Sequence, residues 1–127
     1  MGLTWGKFSP EKLSKILLLA SNADNESDAA VFTVHSFDTG PEEKYEGLKK
    51  SVEADKVYLE ELMKAWTEIG YRDKKLFLRV RKTLKNIEKL KRFDSEDITT
   101  KIREIVDVFD YIDDYRQELV AFLIKNK

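Results

Sequence analysis

The chain of 127 residues contains no cysteine and a single histidine, His35. Without cysteine it has no disulfide, no thiol nucleophile and no thiolate ligand for a metal, and one histidine cannot form a histidine-rich metal site or a proton relay. Most enzyme classes depend on one of these groups. We therefore expect no catalytic residue, no cofactor, no metal site and no small-molecule substrate, and a structural role for His35.

Long apolar runs and targeting signals are also missing. The two longest apolar runs, residues 16–20 and 119–124, are far shorter than the roughly 20 residues that cross a bilayer. The first residues do not form a secretory signal, and Gly6 stands where a myristoylation motif requires serine or threonine. A lysine- and glutamate-rich chain without cysteine suits the cytoplasm, so we expect a cytoplasmic protein with no membrane partner.

What the sequence does contain is enough apolar surface for one core. Hydrophobic residues make up 42% of the chain and charged residues 37%, which is too apolar a composition for an intrinsically disordered protein. A length of 127 residues suits a single domain. We predict one helical domain over 1–127, with an N-terminal arm and helical hairpin in 1–40 and a three-helix bundle in 41–127.

Both prolines of the chain mark predicted helix starts. Pro10 and Pro41 each follow residues suited to an N-cap and precede an acidic residue, an order that is typical of a helix N-terminus. The polar run 22–25 predicts a turn. The N-terminal segment is therefore expected to form a helical hairpin, with helices over about 10–21 and 26–37.

Three long helices are predicted after residue 40. Apolar residues recur at alternating spacings of three and four over about 41–69, 72–92 and 96–125, which is the period of a helix with one buried face. Short connections favour antiparallel packing, so the predicted fold is an all-α antiparallel bundle with the hairpin packed against it. Gly47 and Asp55 are weak points, because an interior glycine costs about 1 kcal/mol relative to alanine and an aspartate is expensive to bury unpaired.

Two charged residues on the apolar seams of the last two predicted helices fit a common register. If the turn after residue 92 pairs Arg92 with Glu96, residues that face each other have numbers summing to about 188. Asp73 and Arg116 fit this register, so we predict that they form a partly buried ion pair that fixes register more than it stabilises the bundle. The alternative is that each side chain extends to solvent. The register offers no partner for Asp55.

The net charge of −1 conceals a segregation of charge along the chain. Residues 71–92 include 10 basic and 2 acidic residues, whereas 1–70 include 8 and 13, and 93–127 include 5 and 9. On a helical wheel, seven cations of the basic segment lie opposite its apolar stripe, with Leu78 among them. They are Lys74, Lys75, Arg81, Lys82, Lys85, Lys89 and Arg92. A face of one charge sign is typical of a surface that binds a polyanion or an acidic protein.

Three interpretations of these cations stay open. The plainest is a solvated helix face, and the other two are contact with an acidic protein and binding of nucleic acid. The acidity of the whole chain and the absence of aromatic residues among the cations disfavour nucleic acid. On the segment 96–125 a second outward face is acidic, formed by Asp107, Asp110, Asp114 and Glu118, and opposite faces of this kind permit self-association.

Part of the predicted hairpin resembles a known family. The stretch EKLSKILLLAS at 11–21, a polar turn, and NESDAAV at 25–31 are similar to a short helical-hairpin domain of unknown function found in bacterial and phage proteins. The resemblance covers residues 11–38 and departs from the pattern at Ser27 and Asp28, where the family is more apolar. It implies a bacterial or phage origin and assigns no activity.

These observations lead to two main hypotheses about function, since a third, an enzyme, would need a cofactor for which the sequence offers no site. The first is a non-enzymatic helical protein-interaction module whose partner is another protein or a second copy of the chain. The second is a nucleic-acid-binding protein that uses the basic face of the segment 72–92.

Overall fold

The computed structural model describes residues 8–36, 38–70, 75–92 and 97–125. They form four α-helices and, within these ranges, no β-strand. The helices are α1 (Pro10–Val34), α2 (Pro41–Glu68), α3 (Lys75–Arg92) and α4 (Ile98–Lys125). The all-α prediction is confirmed, and the three predicted long helices correspond to α2, α3 and α4.

The predicted N-terminal hairpin is wrong, because α1 is one continuous helix of 25 residues that runs through 22–25. The polar run lowers helix propensity, but it contains neither glycine nor proline to end the helix. Small side chains on one face of α1 pack against α2 and stabilise the helix across this run. The buried small residues on this face are Ala20, Ala23, Ser27 and Ala30. Tertiary packing of this face therefore outweighs the local preference for a turn.

The helix ends match the predicted proline signals. Pro10 opens α1, and the side chain of Ser9 accepts a hydrogen bond from the Lys12 backbone N–H at 3.2 Å. Pro41 opens α2. Beyond the end of α2, Gly70 adopts a φ of 77°, a left-handed conformation that glycine adopts without steric cost.

The four helices run alternately up and down, so that α2 and α4 run in the same direction and pack against each other. Tyr45 near the start of α2 lies beside Lys101 of α4, and Trp66 near its end packs against Phe122 with ring centroids 5.9 Å apart. Helices α1 and α3 each pack against this central pair. No helix in the described part of the chain is long and apolar enough to cross a lipid bilayer.

The contact between α3 and α4 has a different register from the predicted one. Arg79 pairs with Glu118, and the hydroxyl groups of Thr83 and Tyr115 lie 2.7 Å apart. The residue numbers of these pairs sum to 197 and 198, not to about 188. Thr83 donates to the carbonyl oxygen of Arg79, so the Tyr115 hydroxyl donates to Thr83. This buried hydrogen bond and the Arg79 ion pair hold the observed register.

The buried ion pair of the bundle joins α4 to α2. The predicted partner of Arg116, Asp73, lies outside the described residues, and the guanidinium forms a bidentate pair with Asp55. Asp55 is fully buried and Arg116 is 6% exposed. The predicted register compared only helices adjacent in the chain, so it could not place Arg116 against a helix that runs parallel to α4.

Candidate interaction surface

The outer surface of α3 is fixed by its buried stripe. Five buried residues at spacings of one, three or four face the core, and they are Leu76, Phe77, Val80, Thr83 and Ile87. The opposite side of the helix therefore faces solvent. The exposed cations there are Lys75, Arg81, Lys82, Lys85 and Lys89. Of the other two predicted cations, Lys74 lies outside the described residues, and the side chain of Arg92 does as well.

These five cations have no ion-pair partner within 4.0 Å among the described residues. Lys82 leans toward α4, where its Nζ lies 5.3 Å from the centroid of the Tyr111 ring. Arg79 differs from them, because its Nη1 lies 3.2 Å from Glu118 Oε2 and its guanidinium lies over the Tyr115 ring. The outward cations are therefore free to meet an anion, whereas Arg79 stabilises the contact between α3 and α4.

An exposed apolar side chain lies among the cations near the start of α3. Leu78 is 54% exposed, and Lys75, Arg81 and Lys82 are its neighbours at three or four residues along the helix. An exposed leucine within a charged face offers an apolar contact that charges alone do not supply. We call this surface the basic face; it consists of Lys75, Leu78, Arg81, Lys82, Lys85 and Lys89.

The outer surface of α4 carries the opposite charge. Asp107, Asp110 and Asp114 are exposed, and we call them the acidic face. Partial burial and then repulsion from Asp113, Asp107 and Asp114 raise the pKa of Asp110. The predicted fourth member, Glu118, pairs with Arg79 of α3, so it is left out of the acidic face.

A groove of about 330 Å³ separates the two faces. Lys82, Asn86 and Lys89 line it from α3, and Glu104 and Asp107 line it from α4. Leu90, Val108 and Tyr111 complete its lining. Cations and carboxylates thus lie side by side along the bundle without closing the groove with an ion pair.

A second groove, of about 450 Å³, lies between α1 and α4. Its lining is mainly apolar, with Leu17, Val120 and Ile124 as its largest apolar side chains. Asp24 and Arg116 also reach it. No sequence signal pointed to this groove, because it depends on where α1 crosses α4.

His35 is exposed and follows the last residue of α1. Across the four described segments, no three histidine, aspartate or glutamate side chains are arranged to hold a metal ion.

Comparison with known proteins adds no information on function: no protein-family model matches the sequence, and searches of curated proteins and of solved structures found no match. The resemblance of residues 11–38 to a bacterial and phage domain stays a prediction. Function is therefore inferred from the surface of the bundle.

Proposed function

We propose that this chain is a non-enzymatic protein-interaction module that binds an acidic protein surface through the basic face of α3. One observation carries the proposal: the outward side of α3 presents five exposed cations without ion-pair partners among the described residues, together with Leu78, which is 54% exposed. A cysteine-free composition rich in lysine and glutamate supports a cytoplasmic location for this module.

The charges of the basic face suit it to recruit a partner. A single exposed ion pair contributes about 0–1 kcal/mol, but several cations on one face sum to a field that raises the association rate with an acidic surface. This contribution weakens with salt, because the Debye length falls to about 8 Å at physiological ionic strength. Binding is therefore expected to be strongest at low salt.

The leucine sets the chemistry of the partner. Covering an exposed leucine removes apolar area from water, worth roughly 25 cal/mol per Å². A partner that presents carboxylates around an apolar side chain would satisfy both parts of the basic face. A phosphate backbone would meet the cations but leave Leu78 uncovered.

Nucleic acid is the second candidate, because the same five cations attract phosphates. Single-stranded nucleic acid is usually bound with aromatic side chains that stack on bases, and the basic face holds an aliphatic residue in that place. The two candidates therefore differ in whether Leu78 contributes to binding.

The test is a fluorescence anisotropy titration of the full chain against two labelled probes. One is a peptide with glutamates on both sides of a phenylalanine, and the other is single- or double-stranded nucleic acid, each at low and physiological salt. The test variant reverses Arg81, Lys85 and Lys89 to glutamate. The matched control reverses Lys49, Lys50 and Lys64, three exposed lysines of α2, with the same change in net charge.

We expect the peptide to bind the wild type and the α2 control, to lose at least tenfold in affinity with the α3 variant, and to bind Leu78→Ser more weakly. An equal loss with both triple variants, or no binding at low salt, would contradict the proposal. Tighter binding of nucleic acid that Leu78→Ser leaves unchanged would support the second candidate.

A further inference from the structure

The basic and acidic faces are next to each other on one side of the bundle, because α3 and α4 are packed side by side. Lys82 and Lys89 line one wall of the groove between them, and Glu104 and Asp107 line the other. Seen from outside, the basic face and the acidic face lie side by side on this side of the molecule, and both run parallel to the bundle axis.

We infer that the acidic surface bound by the basic face is the acidic face of a second copy, in a two-fold dimer in which α3 of each copy lies on α4 of the other. This inference rests on the proposed function, since it names the partner of the same face. Charge complementarity identifies this partner, because one chain carries both the cations without ion-pair partners among the described residues and the carboxylates that match them.

The side-by-side order of the two faces determines which two-fold axis brings opposite charges together. A two-fold axis parallel to the helices places the basic face of each copy opposite the acidic face of the other, so this contact occurs twice. A two-fold axis across the helices would place basic on basic and acidic on acidic. Only the first arrangement is complementary, and because it is isologous it closes at two copies.

Three further observations favour pairing of copies. The net charge of −1 leaves almost no overall repulsion between chains, a condition that promotes association. Asp110 is repelled by Asp113, Asp107 and Asp114, and cations from a second copy would relieve this repulsion. Leu78 adds an apolar contact that pairing would cover.

The size of the contact predicts its strength. Helix α3 has 18 residues and is therefore about 27 Å long, and a face two helices wide measures roughly 20 Å across. The footprint of roughly 500 Å² per copy is below the roughly 800 Å² per partner of a standard stable interface. The dimer is accordingly expected to be reversible, dependent on concentration and sensitive to salt.

The test uses sedimentation equilibrium of the full chain over a range of concentrations, at low and high salt. For the wild type we expect an average mass that rises from one chain of 14.9 kDa toward two and no further, and that returns to one chain at high salt. The α2 control with Lys49, Lys50 and Lys64 reversed keeps both faces and should still reach two chains, at a higher concentration than the wild type because its net charge is more negative.

Two charge-reversal variants test the pairing of faces. In one, Lys82, Lys85 and Lys89 become glutamate, so that three of the five cations of the basic face are replaced by carboxylates; in the other, the three aspartates of the acidic face become lysine, so that both faces are basic. Each variant alone is expected to remain a single chain. A mixture of the two should form a heterodimer, because both contacts are then complementary. Circular dichroism of each variant verifies the helical fold.

The outcomes separate this inference from the proposed function. A wild type that stays a single chain at low salt but binds the acidic peptide overturns the dimer and leaves the proposed function standing. An average mass that exceeds two chains indicates head-to-tail association and overturns the two-fold arrangement. A wild type that neither pairs nor binds the peptide overturns both the dimer and the proposed function. If the two charge-reversal variants fail to pair when mixed, the dimer does not form through the basic and acidic faces.

Discussion

Arg116 of α4 and Asp55 of α2 face each other across the centre of the bundle, with Nη1 and Nη2 of the guanidinium donating to the two carboxylate oxygens at 2.8 and 2.9 Å. Burial raises the pKa of the Asp55 carboxyl, and the hydrogen bonds and charge of Arg116 oppose that rise. Burial by itself would lower the pKa of Arg116, but the hydrogen bonds and charge of Asp55, followed by the charges of Asp113 and Asp24, more than offset this effect. Each charge therefore depends on the other to remain in the interior.

Removing one partner of this pair should destabilise the protein more than removing both. We expect Arg116→Met to lower the free energy of unfolding by about 3–5 kcal/mol, because it leaves the Asp55 carboxylate buried without a counter-charge. The double variant Asp55→Leu with Arg116→Met should recover much of this loss, since it replaces both charges with apolar side chains. Urea denaturation of the two variants checks the prediction, and a double variant that is less stable than Arg116→Met would contradict it.

Gly47 lies inside α2 at its contact with α1, and it should tolerate a side chain. A Cβ at this position would lie 3.8 Å from Ala30 Cα and 3.8 Å from Thr33 Cβ, which is ordinary van der Waals contact. Gly47→Ala is therefore expected to raise the free energy of unfolding by about 0.5–1 kcal/mol, because alanine loses less backbone entropy on folding. Urea denaturation midpoints measure the effect.

Gly70→Ala is the matched control, since the same substitution should act in the opposite direction there. Gly70 has a φ of 77°, which costs an L-residue about 1–2 kcal/mol. If Gly47→Ala were destabilising as well, the spacing between α1 and α2 at this point would be tighter than described.

The helices with a strong apolar period could be predicted from the sequence, and α1 shows why one could not. In α2, leucine, tyrosine and tryptophan recur along the buried face, so the period is visible without any tertiary information. The buried face of α1 near its middle is made of Ala20, Ala23 and Ser27. These small residues do not stand out among polar neighbours, and only their packing against α2 shows that the helix continues.

The candidate surface was predictable in its charges but not in its pairings. The apolar stripe of α3 determines which cations face outward, so a helical wheel could find Lys85 and Lys89. It could not show that Arg79 is held by Glu118, because that contact depends on the register between α3 and α4. Asp55 and Arg116 are 61 positions apart, and no local rule connects them.

Buried tyrosines predict a loss of stability in alkali. Burial raises the pKa of the Tyr115 hydroxyl well above its usual value. Burial also raises the pKa of the Tyr58 hydroxyl. A pKa raised by folding means that stability is fully present below the unfolded value of about 10 and is lost as the pH rises above it. We expect both tyrosines to ionise only as the protein unfolds.

Tyr115→Phe separates this titration from the hydrogen bond. At neutral pH the variant should be about 1 kcal/mol less stable, because it loses the hydrogen bond to Thr83, while Thr83 still donates to Arg79. Above pH 10 the difference should shrink, since phenylalanine does not ionise. Urea denaturation at pH 7 and above pH 10 measures both values, and a difference that grows in alkali would contradict the assignment.

The acidic face predicts a stability change in the opposite pH range. Partial burial and the repulsion from Asp113, Asp107 and Asp114 raise the pKa of Asp110, so the folded state disfavours its charged form. The resulting penalty is absent in acid and appears as the pH rises through the folded pKa. Asp110→Asn should therefore melt at a higher temperature than the wild type at pH 7, and the difference should vanish in acid.

Glu53→Gln, which removes a charge from the exposed side of α2, is the control for net charge. Melting curves are recorded at low protein concentration, so that only the single chain is compared, and a variant that melts below the wild type at pH 7 would show that Asp110 is stabilised by its surroundings.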